Sequence, residues 1–324
     1  MKIYLSGIFS EDSFADNVHH TLKRMDYSVF VSQEARNSQF FNSGLLWNVE
    51  RVIKPNSIYQ FEKTILKQVR AFKPDLFFSL TQQYSPSFLE ELASLVKTRI
   101  IWWGDAPAED KRLTLLSQHW SAIFLKDLNG VNKLKIVGCP AFLLDEAMNP
   151  DWHKPLAPQS SNSIIVAGNF YNFRQVLCQT LIDHGYQLDL YGPKYPRWSL
   201  PTIKKYHSGK YIVKEDKSRI FGSGLACLNS FNFYEGDSLN CRAFEIAGAA
   251  GLQLIEDRPA ISRCFEPGTE LLTFSTKDEL IGLIERAQKN PSQMLKIREA
   301  GAKRALSHHT YQHRLTDIFK TIGV

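Results

Sequence analysis

The chain has 324 residues, 44% hydrophobic, 22% charged and 12% aromatic, a soluble globular balance long enough for two domains with a core each. The formal net charge of +6 is spread along the chain with no Lys/Arg block. No nucleic-acid tail is therefore present, and although an anionic ligand, an anionic membrane surface or nucleic acid fits the sign, a nucleic-acid partner rests on net charge alone and is not expected.

No run approaches the roughly 18 apolar residues of a membrane span. The cysteines at 139, 178, 227, 241 and 264 form no CxxC pair, so neither a zinc site nor a disulfide framework is indicated. Buried free thiols in a reducing, cytoplasmic setting are expected. The opening MKIYLSGIFSED alternates like a strand and lacks a signal-peptide core.

In chain order, KIYLSG reads as a strand ending in a Gly turn, FADNVHHTLKRMD as a helix and YSVFVSQ as a strand. IYQFEKTILKQVRAFKP is amphipathic and stops at Pro74. DLFFSL is a buried strand, and SPSFLEELASLVKT starts with a Ser cap and a Pro in its first turn. RIIWWGDAP is a strand ending in Gly-Asp-x-Pro, and SAIFLKD with KLKIVGCPA completes this half.

NPDWHKPLAPQSSNS, residues 149 to 163, is the best domain boundary. Beyond it, SIIVAGNF, QLDLYGP, GKYIVKED, LACLNSF, LQLIED and TELLTFST read as strands. FRQVLCQTLIDHGY, KSRIFGSG, RAFEIAGAAG and KDELIGLIERAQKN read as helices, and one long helical tail starts at Pro291. No internal repeat is present. The alternation predicts an α/β chain of two doubly wound parallel sheets. The expected divisions are 1–150, a linker over 151–163, 164–306, and a C-terminal helix over 307–324 that crosses back to the N-terminal domain.

Open parallel sheets bind ligands at the carboxyl ends of their strands. A nicotinamide fingerprint is missing there: the first strand is followed by SGIFSED, and the Gly-x-Gly of GSGLAC precedes a strand. The most informative segment is DSLNCRAFEIAGAAGLQLIED, residues 237 to 257. Ser238 or Asn240 can cap a helix whose first turn carries Arg242, and amides at a helix start together with an Arg attract phosphate. Glu245 lies one turn further in, placed to reach a sugar's hydroxyls. The alternative is an Arg242–Glu245 ion pair at i, i+3 on a solvated face, worth about 0.2–0.5 kcal/mol.

Gly168 and Asn169 follow the first strand of the second half, where backbone amides could meet phosphate, and Arg174 could assist unless it is an exposed first-turn residue. YIVKED is a candidate wall for a nucleotide base. In the first half, Ser6 and Gly7 end the first strand and are expected to form an acceptor-side loop. Asp105, after IIWWG, is a candidate acceptor-side base, with a plain turn residue before Pro107 as its alternative.

The order Asn-x-Arg-x-Phe-Glu at 240–245, a small-residue helix, CFEPGTE at 264–270 and HHTYQHR at 308–314 resembles the C-terminal half of spore-maturation CgeB-like glycosyltransferases. The likeness is specific over about residues 225 to 316 and looser upstream. It implies the GT-B architecture: two Rossmann-like domains facing across a cleft, the donor held by the C-terminal one and the acceptor by the N-terminal one. Retaining enzymes of this fold carry a Glu, seven residues and a second Glu. The second matches Glu245, which by analogy binds the donor ribose. The first position holds the shorter Asp237, a departure from the pattern that still makes it a candidate catalytic acid by this analogy.

Asp-x-Asp, the metal motif of the other large glycosyltransferase fold, does not occur. No metal and no cofactor are expected, with Arg242 and helix amides taking the leaving diphosphate's charge. The resulting expectation is a retaining, metal-independent transferase using a nucleotide sugar, uridine-linked by preference. Its acceptor is a glycan, protein or small molecule, with peripheral membrane contact left open by the net charge. The alternatives are a nucleotide-sugar epimerase and a binding protein that has lost the chemistry.

Overall fold

Every strand pairing in the described chain is parallel, the arrangement that alternating strands and helices impose. The computed structural model describes residues 1–32, 57–106, 108–156 and 158–324, with the side chains of 57–59 also left aside. The end of the YSVFVSQ strand at Gln33, Pro107 of the Gly-Asp-x-Pro turn and Ala157 of the linker lie outside them. The described chain forms two compact units, one of Met1–Asp145 with Arg314–Val324 and the other of Glu146–His313. Among the described residues no helix is long and apolar enough to cross a membrane.

The first unit holds strands β1 (Lys2–Ser6), β2 (Ser28–Val31), β3 (Leu76–Leu80), β4 (Thr98–Trp103), β5 (Ala122–Leu125) and β6 (Ala141–Leu143), in the order β2-β1-β3-β4-β5-β6. Its helices are α1 (Phe14–Arg24), α2 (Ser57–Phe72), α3 (Pro86–Leu95) and α4 (Leu128–Ile136). Ser13, Ser85 and Asp127 cap α1, α3 and α4 by accepting from amides in the first turn. The segment KLKIVGCPA is divided between the end of α4 and the start of β6. Buried rings fill one side of this sheet: Tyr4 stacks on Phe77, and Tyr84 on Phe88.

The second unit holds β7 (Ile164–Ala167), β8 (Leu188–Tyr191), β9 (Ala226–Asn229), β10 (Gln253–Glu256) and β11 (Leu272–Phe274), in the order β11-β10-β9-β7-β8. Its helices are α5 (Asn172–Asp183), α6 (Pro201–Tyr206), α7 (Lys214–Ser223), α8 (Cys241–Gly248), α9 (Ala260–Cys264), α10 (Lys277–Lys289), α11 (Pro291–His308) and the start of α12 (Tyr311–Ile322). Arg298 of α11 donates to the carbonyls of Gly222, Gly224, Leu225 and Ala250, neutralising the ends of α7 and α8 where β9 and β10 are about to begin.

Two expectations fail locally. GKYIVKED forms no strand: Gly209 turns the chain at φ +73°, β8 gains only a single bridge from His207, and α7 begins at Lys214. The helical tail is two helices, because His309 turns inward to the Cys264 carbonyl at 2.7 Å and Thr310 bridges to Met148. In α12, Arg314 donates to the Asp145 carbonyl and Phe319 packs edge-on against Tyr27.

Candidate functional site

The second sheet changes winding direction between β7 and β9, with β8 on one side of β7 and β9, β10 and β11 following on the other. Helices leaving such neighbours diverge, so a crevice opens over their carboxyl ends. Three segments meet there. Gly168 directly follows β7, β9 runs into Ser230, and α8 starts at Cys241.

Gly168 has φ +117°, which only glycine adopts without strain. A Cβ at this position would overlap the Arg242 guanidinium and lie 3.1 Å from Nη1 of Arg174. The missing side chain is therefore the space in which two guanidiniums converge.

Arg174 belongs to the first turn of α5 and is 1% exposed, so it is not a solvated first-turn residue. Its Nε donates to Ser230 Oγ at 3.2 Å, Nη1 to the Asn169 carbonyl at 2.8 Å, and Nη2 to both Tyr171 Oη and the Ser230 carbonyl at 2.6 Å. Tyr171 also donates to that carbonyl, and its ring lies against the guanidinium. None of these partners is a carboxylate. Burial first, and then the Arg242 charge, pull the Arg174 pKa down to about 10, which leaves it cationic at neutral pH.

Arg242 stands half-buried in the first turn of α8 and makes no hydrogen bond or ion pair with any described residue. The expected alternative, an i, i+3 pair with Glu245, is not formed. Two adjacent cations without a paired acid repel each other and favour an anion between them.

Asn240 caps α8 by accepting from the Ala243 amide at 3.1 Å. Its amide also exchanges hydrogen bonds with Asn229, which donates to Gln253, which in turn donates to the Ala243 carbonyl. This chain of amides ties the helix start to β9 and β10. The Asn240 side chain is thus the expected cap of α8, and it holds in place the turn that carries Arg242. The amides of Cys241 and Arg242 find no partner inside the helix, as at any helix start.

Glu245, one turn deeper, is 4% exposed. Its Oε1 receives Lys217 Nζ of α7 at 2.8 Å and lies 3.9 Å from His153 Nε2. Asp237 is turned the other way. Its Oδ1 accepts from the Ala260 amide at 2.6 Å, and its Oδ2 pairs with Arg263 at 3.0 Å. The loop between β9 and α8 is braced further by Arg258, which stacks on Phe231 and donates to the carbonyls of Gly236 and Ser238.

Sequence reasoning missed Lys217, Tyr171 and Ser230. Lys217 and Ser230 are joined to Glu245 and Arg174 by folding across many positions, which no local spacing announces, whereas Tyr171 stands three residues before Arg174, a spacing that could have found it.

In the first unit the corresponding change of direction lies between β1 and β3. Ser6 is fully buried and accepts from Tyr84 Oη at 2.8 Å, with Ser79 Oγ 3.1 Å from the same hydroxyl. Gly7 serves packing, since a Cβ there would press on Ala15 and Leu80 at 3.1 and 3.2 Å. The expected acceptor-side part for the Ser6 side chain does not fit this burial. Asp105 follows β4 and is exposed. Of the five cysteines only Cys241 is not fully buried by surface area, and burial pushes the thiols of Cys178 and Cys227 up to about 12.

Residues 174–320 match the model of a family described as glycosyl transferase-like. That stretch is similar to a glycosyl transferase-like domain. It includes Arg174, Arg242 and Glu245 but spans less than half of the chain. None of the curated proteins matches the chain in sequence.

Among solved structures the chain is similar to a sucrose-phosphate synthase from Thermosynechococcus elongatus, at 9% identity over 99% of each chain with a TM-score of 0.70. It is similar to HepE of Anabaena in complex with UDP-glucose, at 10% identity over 100% of this chain and 99% of that one, with a TM-score of 0.66. A glycosyltransferase from Rickettsia africae aligns at 10% identity over 99% of this chain and 97% of that one, with a TM-score of 0.63. At such identities the likeness is one of fold, and the fold is GT-B.

Proposed function

We propose that the chain is a CgeB-like glycosyltransferase that moves a sugar from a nucleotide-diphosphate sugar, uridine-linked by preference, to a glycan, protein or small-molecule acceptor. The observation that carries this reading is the convergence of Arg174 and Arg242 on the open side of Gly168. Two cations and a helix start meet where a sheet changes direction, a suitable seat for a diphosphate. Glu245, one turn deeper, suits ribose hydroxyls. Further support comes from the match of residues 174–320 to a glycosyl transferase-like family and from a structural neighbour described in complex with UDP-glucose.

In this reading the bond from the anomeric carbon to the diphosphate breaks as the acceptor oxygen attaches. The charge that grows on the departing diphosphate is stabilised by Arg242, Arg174 and the first-turn amides of α8, without a metal ion. Asp105 of the first unit takes the acceptor's proton or orients its hydroxyl. Asp237, fixed to α9 and Arg263, enters as the anchor of the loop before α8, and a retaining outcome does not depend on its contact with the donor.

The test is release of nucleoside diphosphate from UDP-glucose, UDP-N-acetylglucosamine, GDP-mannose and dTDP-glucose. Slow hydrolysis of one uridine-linked donor is the expected result. Tight binding with no release from any donor would favour a nucleotide-sugar-binding protein, and release from none with binding to none would remove the reading.

A further inference from the structure

The two carboxylate oxygens of Glu245 are not equivalent. Lys217 donates to Oε1 at 2.8 Å, and His153 faces the same oxygen at 3.9 Å. No described residue donates to Oε2. The side chains of Lys217 and Glu245 are only 13% and 5% exposed. The neighbouring Ser218 is fully buried, donates to the Trp152 carbonyl at 2.8 Å and accepts from the Lys154 amide at 2.9 Å, which fixes how α7 presents Lys217.

A buried ion pair brings little stability compared with an apolar pair of the same size, whereas a buried carboxylate without its cation is costly. The pair is therefore better explained by what it leaves open than by what it stabilises. An oxygen with two free lone pairs can accept from two adjacent hydroxyls. A ribose presents such a pair, and a 2′-deoxyribose does not.

We propose that Lys217 is a positioning residue that keeps Glu245 turned so that Oε2 meets the 2′- and 3′-hydroxyls, and that the site thereby selects ribonucleoside over 2′-deoxyribonucleoside diphosphates. This rests on the donor-site reading above. It goes further by naming the residue that sets the acid's orientation and the class of nucleotide that the orientation admits. A site built to hydrogen-bond a hydroxyl discriminates against the analogue that lacks it, because the buried acceptor is then left unpaired.

The experiment is calorimetric titration of UDP and 2′-deoxy-UDP into the wild-type chain, Lys217→Met, Lys217→Arg, Glu245→Gln and the double variant Lys217→Met/Glu245→Gln, with circular dichroism to confirm folding. The wild type is expected to prefer UDP at least tenfold. Lys217→Met should lose about tenfold in UDP affinity and most of that preference, and Lys217→Arg should keep both within about threefold. The double variant should be no worse than Glu245→Gln alone, because Lys217 acts through Glu245.

Equal losses for UDP and 2′-deoxy-UDP in Lys217→Met, or an unchanged preference, would overturn the proposal. If Lys217→Met fails to fold, an unchanged preference in Glu245→Gln would overturn it equally. A wild-type chain that binds neither nucleotide would instead overturn the donor-site reading itself.

Discussion

The two units carry sheets wound in the same sense, each with its first strand between the second and the third, yet the polar groups at the two switch points behave in opposite ways. In the first unit, Ser6, Ser79 and Tyr84 turn inward and satisfy one another, and Gly7 makes room for Ala15 and Leu80. In the second unit, Gly168 makes room for two guanidiniums, and the hydrogen-bonding around them uses only neutral partners. The first arrangement is closed on itself, while the second leaves charge uncompensated. A fold supplies the position of a crevice, and the chemistry there decides whether the crevice awaits a ligand.

Breaking this contrast should cost most at Arg174. Arg174→Met removes the donor shared by Ser230, Asn169 and Tyr171 and leaves their oxygens without it. About 3–5 kcal/mol of stability should be lost, read as a lower midpoint in urea, with UDP affinity lost as well. Gly168→Ala places a methyl group on Arg242 and strains a backbone at φ +117°. The expected loss is about 1–3 kcal/mol, together with at least a tenfold weakening of UDP binding by calorimetry.

Tyr84→Phe sharpens the comparison from the other side. It should cost about 1 kcal/mol in thermal denaturation and leave UDP binding unchanged, because its hydroxyl serves only the interior of the first unit. Asp105→Asn has the narrowest effect expected, a lower rate of sugar transfer with donor affinity unaltered, measured by steady-state kinetics alongside UDP titration.

Much of the framework could be read from the sequence because its signals are local. Ser85 followed by Pro86 announces α3, strand–helix alternation announces parallel sheets, and Asn240 before a run of small residues announces α8. Gly168, Arg242 and Glu245 stand out for the same reason, since Gly168 directly follows β7 and the other two lie in the opening turns of α8. The surroundings of Arg174 were not legible: a first-turn arginine looks solvated until β9 brings Ser230 beside it. The partner of Glu245 was hidden because Lys217 lies on another helix, and the local choice at i, i+3 was wrong. GKYIV was misread because alternation suggests a strand even where no neighbouring strand offers a ladder, and Tyr211 is 65% exposed there.

The central claim is that uncompensated charge beside Gly168 binds a diphosphate. Its most direct measurement is calorimetric titration of UDP into the wild-type chain and Arg242→Ala at moderate salt, with thermal midpoints recorded for both. Arg242 has no described hydrogen-bond or ion-pair partner to lose, so the account predicts matching midpoints and at least a tenfold weaker affinity in the variant. Equal affinity in the two proteins would contradict it.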